Sequence, residues 1–360
     1  MIRQTQASLQ ELHSFRCASI AEEEVLIRSE DDLMEAYELG LFNEPWIALG
    51  HGTNTLFLPR VTERVFVLQL KGFEHEVRQD DQLHVTVGAG VDWDDLVEWS
   101  IEQGYGGIEA MIRIPGTCGA APVQNIGAYG QELDRVLLRV RAFDTQRGIF
   151  HDFRPEECGF SYRNSMFKRP EGRHWIITSI SLRLHGSSYT IKPTYPSLVA
   201  SLNEAGISSP TLKDIGHHVA AIRGSKLPHP SNQPNAGSFF KNPVLREEQA
   251  KRFLDQFPNA PWFDVEVSDN EQTSDKLTSD KLTSDERTIK VPAGWLIEYV
   301  GLKGEWTGRV GVWPKQALVL YHEGEALGTD ILELATRIQD KVRETFQVEL
   351  EQEVRVYGEA

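Results

Sequence analysis

The apolar positions of this chain follow a helical spacing in some segments and a strand-like alternation in others. In residues 1–70, a helix that Asp31 caps and Gly40 ends is followed by two apolar runs, Trp46–Leu49 and 65–70. Both runs are short and rich in apolar residues, which is typical of buried strands. This region is therefore predicted to form a small α/β unit.

Strand patterns dominate residues 82–184. One helix interrupts them, with Asp92 as its cap and Gly104 at its end. The strands are predicted at residues 84–87, 136–143 and 175–184. Several strands around a single helix indicate an α+β lobe.

After Pro193 helical and strand patterns mix again. Helices are predicted at residues 246–257, 294–300 and 330–346, and strands at 316–321 and 349–357. The last helix is amphipathic, because its apolar residues repeat at helical spacing. These residues are Ile331, Leu334, Ala335, Ile338, Val342 and Phe346.

Residues 268–287 show neither the helical nor the strand spacing. They contain the pentapeptide Thr-Ser-Asp-Lys-Leu twice, followed by Thr-Ser-Asp-Glu-Arg. A spacing of five fits neither a helix nor a strand, and only two leucines are available for burial. We therefore expect an insert in a solvent-exposed loop, disordered and without a part in the chemistry.

Composition and charge narrow the function classes. A length of 360 residues indicates two or three domains, and 40% hydrophobic with 25% charged residues is ordinary for a globular protein. With 37 basic and 53 acidic residues the net charge is −16. This charge argues against partners that need a basic surface, nucleic acid and anionic membranes. An anionic substrate would require a local basic pocket.

The cysteines and the N-terminal residues indicate a compartment. Cys17, Cys118 and Cys158 are an odd number, lie far apart and form no Cys-x-x-Cys pair, so neither a disulfide framework nor a metal site is expected. Residues 1–20 lack a signal-peptide pattern, and no apolar run is long enough to span a membrane. We expect a soluble, cytoplasmic protein in which Cys118 is a packing residue.

Two glycine-rich segments are candidates for nucleotide binding. Gly50-His-Gly-Thr-Asn54 follows a buried strand, but such turns are common and on its residues alone a structural role is favoured. The chain has neither a Rossmann Gly-x-Gly-x-x-Gly nor a P-loop. Residues 114–130 are rich in glycine and alanine and almost uncharged. Small residues let a flat or phosphorylated ligand approach the backbone, so here a binding role is favoured.

Three further segments contain residues suited to anion chemistry. Arg163 lies among aromatic residues, and its guanidinium requires either a ligand carboxylate or an internal salt bridge. Ser238 stands between Ala-Gly and two phenylalanines, near Lys226, His229 and Lys241 in sequence, without the pattern of a hydrolase triad. Glu351 and Glu353 share one face of the predicted terminal strand, which by itself indicates only a charged surface.

Taken in order, these segments resemble the UDP-N-acetylenolpyruvoylglucosamine reductases of bacterial peptidoglycan precursor synthesis. The resemblance extends over residues 14–358 outside the insert. Its most specific parts are Pro-Gly-x-x-Gly-x-x-Pro-x-Gln-Asn-Ile-Gly-Ala-Tyr-Gly, at 115–130, and Asn-Ala-Gly-Ser-Phe-Phe-Lys-Asn-Pro, at 235–243. The segment around Tyr195 is similar to the tyrosine loop of the type I subclass.

The resemblance implies an α+β fold with two domains. Residues 1–187 would be an FAD-binding domain of the PCMH/vanillyl-alcohol-oxidase type, made of two α/β lobes at about 1–70 and 71–187. Residues 188–360 would be an α+β substrate-binding domain. The residues implied to bind FAD non-covalently are Gly50, His51, Gly52, Thr53, Asn54, Pro115, Gly116, Ala120, Ala121, Gln124, Asn125, Gly127, Ala128 and Tyr129.

The resemblance also implies the reaction. NADPH would supply hydride, and UDP-N-acetylglucosamine enolpyruvate would be reduced to UDP-N-acetylmuramate by a monomeric enzyme. Arg163, Ser238 and Glu353 match the catalytic positions. The residues that match contacts to the UDP-sugar are Tyr195, Lys226, Asn242 and Gln316.

The chain departs from the family pattern at two places. Trp313 stands where these reductases usually have histidine, and Ala120 and Ala121 replace a serine pair of some members. Two alternatives to the reductase are an FAD oxidase of the PCMH type acting on an alcohol or sugar, and a non-catalytic flavin- or nucleotide-binding protein.

Overall fold

The chain folds into two compact units. The computed structural model describes residues 1–78, 80–267, 273–274 and 288–359. The first unit comprises Met1–Ala7, Ala21–His51 and Thr62–Ser225, and the second comprises Ser8–Ile20, Gly52–Val61 and Lys226–Ala360. Two N-terminal segments therefore belong to the unit formed mainly by the C-terminal half. Apart from Thr273–Ser274, the predicted insert 268–287 lies outside the described residues.

Most of the described strands are short, and the longest, Trp175–His185, lies in the first unit. The strands before residue 190 are β1 (Ile2–Ser8), β2 (Ile20–Ile27), β3 (Trp46–Leu49), β4 (Thr55–Phe57), β5 (Arg60–Val61), β6 (Arg64–Leu68), β7 (Phe73–Val77), β8 (Gln82–Gly88), β9 (Gly127–Ala128), β10 (Gln131–Glu132), β11 (Leu137–Asp144), β12 (Ile149–Phe153) and β13 (Trp175–His185). The later strands are β14 (Asn235–Ser238), β15 (Val244–Arg246), β16 (Phe263–Asp264), β17 (Glu266–Val267), β18 (Thr273–Ser274), β19 (Thr288–Lys290), β20 (Val310–Val312), β21 (Val319–His322) and β22 (Arg355–Tyr357).

The helices are distributed over the whole chain. They are α1 (Glu30–Glu38), α2 (Trp93–Gln103), α3 (Pro196–Glu204), α4 (Leu212–Lys226), α5 (Glu247–Gln256), α6 (Ala293–Tyr299) and α7 (Gly328–Phe346). The sequence analysis missed α3 and α4.

Besides the two-stranded β9–β10 sheet, the first unit contains two larger sheets and two apolar cores. One sheet has the order β1-β2-β6-β3, with β6 parallel to both β2 and β3. The other is antiparallel, with the order β12-β11-β13-β8-β7. In β8 the residues Leu83, Val85 and Val87 are buried and alternate with more exposed ones, because successive strand side chains point to opposite faces. One core lies around Val25, Phe66 and Phe143, and the larger one around β8, α2 and β13.

The two predicted helix caps have different outcomes. Asp92 caps α2 as predicted, since its Oδ1 accepts hydrogen bonds from the backbone N–H groups of Asp94 (2.8 Å) and Asp95 (3.3 Å). The prediction of Asp31 as the cap of α1 is wrong. Ser29 is the cap, because its hydroxyl accepts from Asp32 N–H while the Asp32 carboxylate accepts from Ser29 N–H, a capping box.

The second unit packs around α7. All six predicted apolar residues of that helix are buried in one core with Phe239, Phe240 and Leu320. Its sheets have the orders β14-β21-β20 and β15-β19-β16, and β22 pairs in parallel with β4.

Two predicted strands of the second unit need correction. The strand predicted at 349–357 is limited to Arg355–Tyr357, because only these residues continue a ladder, with Thr55–Phe57. The strand predicted at 316–321 is β21, Val319–His322, and turn hydrogen bonds hold the residues before it. Among the described residues, no helix is long and apolar enough to cross a membrane.

Candidate active site

The small-residue segment 115–130 forms a tight turn structure in the first unit. After a short 3-10 helix, Ala121–Gln124, the backbone takes left-handed conformations at Asn125 (φ 41°) and Tyr129 (φ 51°). β9 and β10 then make a hairpin with Tyr129 and Gly130 at its tip. A Cβ on Gly119 would lie 2.4 Å from the Cβ of Ala89, so this position requires glycine.

The loop of residues 50–54 begins in the first unit and ends in the second. A Cβ on Gly50 would lie 2.5 Å from Thr117 Oγ1, which explains the glycine by close packing on the 115–130 segment. His51 Nδ1 lies 3.3 Å from a carboxylate oxygen of Asp92. Burial would raise the pKa of Asp92, but hydrogen bonds from His51 and from two backbone N–H groups lower it below its usual value.

These residues of the first unit fit FAD. Residues 115–130 contain no acidic side chain, and Ala120 and Gly130 are exposed. A surface of backbone, glycine and alanine admits a planar ring, and a segment without carboxylates tolerates a diphosphate. Cys118 is buried, burial raises the pKa of its thiol, and it lies in the core as the packing residue that was predicted.

Arg163 has no acidic partner among the described residues. Its Nη2 donates to Gly127 O (2.7 Å) and its Nη1 lies 3.4 Å from Asn125 O. The guanidinium also lies over the Tyr162 ring, 5.3 Å from the centroid. Within the described residues Arg163 forms no internal salt bridge, and carbonyl groups of the small-residue segment itself hold its charge.

Two tyrosines of the first unit meet beside this segment. The rings of Tyr129 and Tyr195 are 5.0 Å apart in an edge-to-face arrangement. Tyr195 directly precedes α3 and is 48% exposed, whereas burial raises the pKa of Tyr129. An exposed aromatic ring at this position is available for a ligand.

In the second unit the backbone brings Ser238 and Glu353 together. Ser238 ends β14, opposite Val319 of β21, and the next two residues, Phe239 and Phe240, are buried. The backbone N–H of Glu353 donates to Phe239 O (2.8 Å). Asn54, at the end of the 50–54 loop, donates from Nδ2 to the Glu353 carbonyl (3.1 Å).

Ser238 has open space beside it. Gly237 has φ 69°, and apart from its two chain neighbours no atom of the described residues lies within 4 Å of where its Cβ would be. A reactant can therefore approach the backbone next to the hydroxyl.

Asn242 and Gln316 both have side-chain oxygens near the start of α6. Asn242 Oδ1 accepts from Ala293 N–H (2.9 Å), and Gln316 Oε1 is 3.1 Å from where a Gly294 Cβ would lie. Gln316 Oε1 also lies 3.4 Å from Leu318 N, so both side-chain oxygens face backbone groups and the amide N–H₂ groups are the donors left for a ligand.

The cations near Ser238 in sequence have different surroundings. The Lys226 side chain is exposed, and its backbone carbonyl accepts from Trp313 Nε1 (3.0 Å). Lys241 is ion-paired with Glu351, and His229 is hydrogen-bonded to Ser231. Of the basic pocket expected from the sequence, Lys241 is thus the one member with an acidic partner among the described residues, and the charge of Lys226 is left for a ligand.

The sequence analysis missed Arg223 and Glu109. Arg223 stands three residues before Lys226, and helix α4, which carries it, was itself missed. Glu109 is only 1% exposed. The sequence feature that could have indicated its burial is a carboxylate inside an apolar stretch, Ile108 to Met111. In the described part of the chain, no group of three or more His, Cys, Asp or Glu side chains could hold a metal ion.

Comparison with known proteins identifies the family. Residues 22–153 match the model of an FAD binding domain, and residues 229–357 match the C-terminal domain of UDP-N-acetylenolpyruvoylglucosamine reductase. The reductase of that name from Flavobacterium johnsoniae is 37% identical over 98% of this chain and 99% of its own length. The chain belongs to the UDP-N-acetylenolpyruvoylglucosamine reductase family. The Pseudomonas aeruginosa reductase is 39% identical over 92% of this chain and 91% of its own length.

A solved structure supports the fold of this reductase. The crystal structure of the reductase from Thermus caldophilus covers 99% of this chain and 98% of its own, with a TM-score of 0.64 and 23% identity. The sequence-based predictions of the family, of an α+β flavin-binding fold and of an FAD-dependent oxidoreductase in peptidoglycan precursor synthesis are confirmed.

Proposed function

We propose that this reductase uses NADPH to convert UDP-N-acetylglucosamine enolpyruvate into UDP-N-acetylmuramate. The observation that supports this most directly is Arg163. A guanidinium held by two carbonyl groups, without an acidic partner among the described residues, is suited to a carboxylate, and the enolpyruvyl group carries one.

FAD would be held by the residues of the 50–54 loop and the 115–130 segment that the sequence analysis names. When bound, FAD takes hydride from NADPH and gives it to the substrate. The chain's own contribution is to bind both anionic reactants, to stabilise charge and to supply a proton.

Arg163 and Glu353 act on the charge of the reacting group. When hydride joins the terminal methylene carbon, the electron pair of the double bond moves to the carbon that bears the carboxylate, as an enolate. Arg163 stabilises this negative charge. Glu353 assists Arg163 by holding a proton near the substrate carboxylate. One such preorganised donor is worth about 3–4 kcal/mol.

Ser238 completes the reduction. Its hydroxyl proton passes to the carbon next to the carboxylate, which gives the lactyl ether. A serine hydroxyl is a weak acid, but a carbanion-like carbon is basic enough to take its proton. The alkoxide is reprotonated from solvent. Tyr195, Lys226, Asn242 and Gln316 bind the UDP-sugar.

An absorbance experiment on the purified protein tests the function. The purified yellow protein is first bleached with NADPH under anaerobic conditions, and the enolpyruvyl sugar nucleotide is then added. We expect the flavin colour to return in proportion to the sugar nucleotide added. Rapid return with O₂ but not with the sugar nucleotide would indicate an oxidase instead, and failure of NADPH to bleach the flavin would indicate a binding protein.

We also infer that the enzyme works as a monomer in the cytoplasm, without nucleic-acid or membrane partners. The net charge of −16 and three free, buried cysteines support this inference. Light scattering of the purified protein would overturn the monomer if it gave twice the mass of the chain.

A further inference from the structure

Arg223 is a second guanidinium in the first unit that lacks an acidic partner among the described residues. Its Nε is buried and makes no hydrogen bond, and its Nη2 donates to the Arg113 carbonyl (3.1 Å). Arg223 as a whole is partly buried, and a buried guanidinium N–H without an acceptor is costly, because water no longer solvates it. Such a group points to a ligand that completes its coordination.

The surroundings of Arg223 place it at the small-residue segment. Arg113 lies two residues before Pro115, where that segment begins. At its other end Tyr129 interacts electrostatically with Arg223, and Tyr129 packs against Tyr195. Arg223 therefore lies beside residues that the proposed function assigns to FAD and to the sugar nucleotide.

The charges around Arg223 favour an anion. Asp94 is the acid whose charge reaches it, but Asp94 already binds the Arg113 side chain (2.8 Å). Burial lowers the pKa of Arg223, and the neighbouring positive charge of Arg163 lowers it further. Two neighbouring guanidiniums without carboxylates repel each other until an oxyanion lies between or beside them.

We propose that Arg223 binds an oxyanion, carboxylate or phosphate, of a reactant beside Arg163. This inference rests on the proposed function, since the reactants of that reaction supply the oxyanion. The enolpyruvyl sugar nucleotide and NADPH both carry such groups. The contact of Tyr129 with Tyr195 favours the sugar nucleotide.

The test compares Arg223→Met and Arg223→Lys with the wild-type holoenzyme. Binding of the enolpyruvyl sugar nucleotide is titrated by the change in flavin absorbance, and the KM for NADPH is measured separately. We expect Arg223→Met to weaken sugar-nucleotide binding at least about tenfold. Arg223→Lys keeps the charge but loses the planar guanidinium, so its affinity for the sugar nucleotide should lie between those of the wild type and Arg223→Met. Arg147→Met is the control, because Arg147 has a 75% exposed side chain.

The Tm distinguishes a structural role from ligand binding. If Arg223 binds a ligand, Arg223→Met should leave the Tm unchanged or raise it, because methionine fills similar space without a charge. If Arg223 supports the fold, both variants should lower the Tm. A rise in the KM for NADPH alone would identify NADPH as the source of the oxyanion. Unchanged binding of both reactants, or loss of the fold in both variants, would overturn the proposal. If the wild type does not turn over, the proposed function itself has failed.

Discussion

At the scale of single residues, Ser238 is the residue proposed to donate the proton. It ends β14, its neighbours Phe239 and Phe240 are anchored in the core, and the space beside Gly237 is open. The backbone that carries its hydroxyl is therefore held by buried neighbours, next to the open space at Gly237. Its acid role can be separated from hydride transfer, because only the second half-reaction requires a proton.

Ser238→Ala should leave bleaching of the flavin by NADPH unchanged and slow sugar-nucleotide reduction by on the order of 10²–10⁴-fold. Stopped-flow absorbance measures the two half-reactions separately. Ser231→Ala, a serine of the same region that is hydrogen-bonded to His229, is the control. An equal loss in both half-reactions would contradict the acid role.

Trp313 supports Lys226 through a hydrogen bond. Lys226 is the last residue of α4, where backbone carbonyls have no partner inside the helix, and the indole N–H satisfies this one. Trp313→Phe keeps an aromatic ring against Tyr321 but removes the donor. The loss of about 0.5–1.5 kcal/mol should loosen the Lys226 backbone.

We therefore expect a higher KM for the sugar nucleotide in Trp313→Phe and a nearly unchanged kcat, since Lys226 is assigned to substrate binding. Steady-state kinetics measures both. Trp306→Phe is a matched control, because Trp306 also contacts Tyr321 and is 40% exposed. Equal effects of the two substitutions would mean that ring packing, not the hydrogen bond, matters.

At the scale of elements, a buried network fixes the β9–β10 hairpin that carries Tyr129. The Glu109 carboxylate accepts from Gly107 N–H (2.6 Å), from Gln131 Nε2 (2.8 Å) and from the Tyr189 hydroxyl (3.3 Å). Burial and the Glu109 charge raise the pKa of Tyr189 to about 12, so it stays a donor at neutral pH.

Glu109→Ala should lower the free energy of unfolding by about 1–3 kcal/mol for each buried donor left without an acceptor. The loss should extend to the hairpin, so hydrogen exchange of residues 127–132 should become faster. Urea unfolding and exchange measurements check both effects. Glu102→Ala, at an exposed position of α2, should change neither. Slow exchange in the hairpin of Glu109→Ala would contradict the network's role.

The elements that could be predicted are those whose own residues show a clear spacing of apolar positions. The α7 stripe is buried as expected, because six apolar positions at helical spacing admit one orientation. α4 was missed since Gly216 and Gly224 weaken its helical pattern. Ser29 and Asp31 are both good caps, and only the reciprocal bond with Asp32 decides between them.

The surroundings of the site residues could not be predicted from the sequence. The carbonyls that hold Arg163 come from Asn125 and Gly127, more than 30 positions away, and backbone carbonyls have no sequence signal. The Glu353 N–H likewise meets Phe239 O through tertiary pairing. The residue types of the candidate site come from the resemblance and stay a prediction, whereas these contacts depend on the fold.

At the scale of the whole molecule, the chain passes between its two units several times. β4, from the N-terminal part, pairs in parallel with β22 near the C-terminus. The sequence gives no local signal for a pairing 300 positions apart, Thr55 with Arg355. The predicted domain boundary after residue 187 stays a prediction.

Buried histidines should make the stability of the molecule depend on pH. His322 is 2% exposed; its Nε2 donates to Phe15 O, and its Nδ1 accepts from Gly324 N–H (3.0 Å). Only the neutral ring with its proton on Nε2 satisfies both bonds. Burial lowers the pKa of His322, and the Arg16 charge lowers it further; burial also lowers the pKa of His13.

The sign of the pH effect follows from these directions. The unfolded chain binds protons at histidine below a pH of about 6.5, whereas the folded chain resists them, so protonation favours unfolding. The free energy of unfolding should be constant above that pH and fall as the pH decreases toward the lower folded-state pKa values. Urea unfolding of the holoenzyme between pH 8 and 5.5 measures this, in a range above most carboxylate titrations.

His322→Asn keeps an acceptor for Gly324 N–H and cannot titrate, so it should be less stable at pH 8 but less sensitive to pH. His217→Asn, at an exposed position of α4, should retain the wild-type slope. A slope in His322→Asn as steep as in the wild type would show that His322 is not a source of the pH dependence.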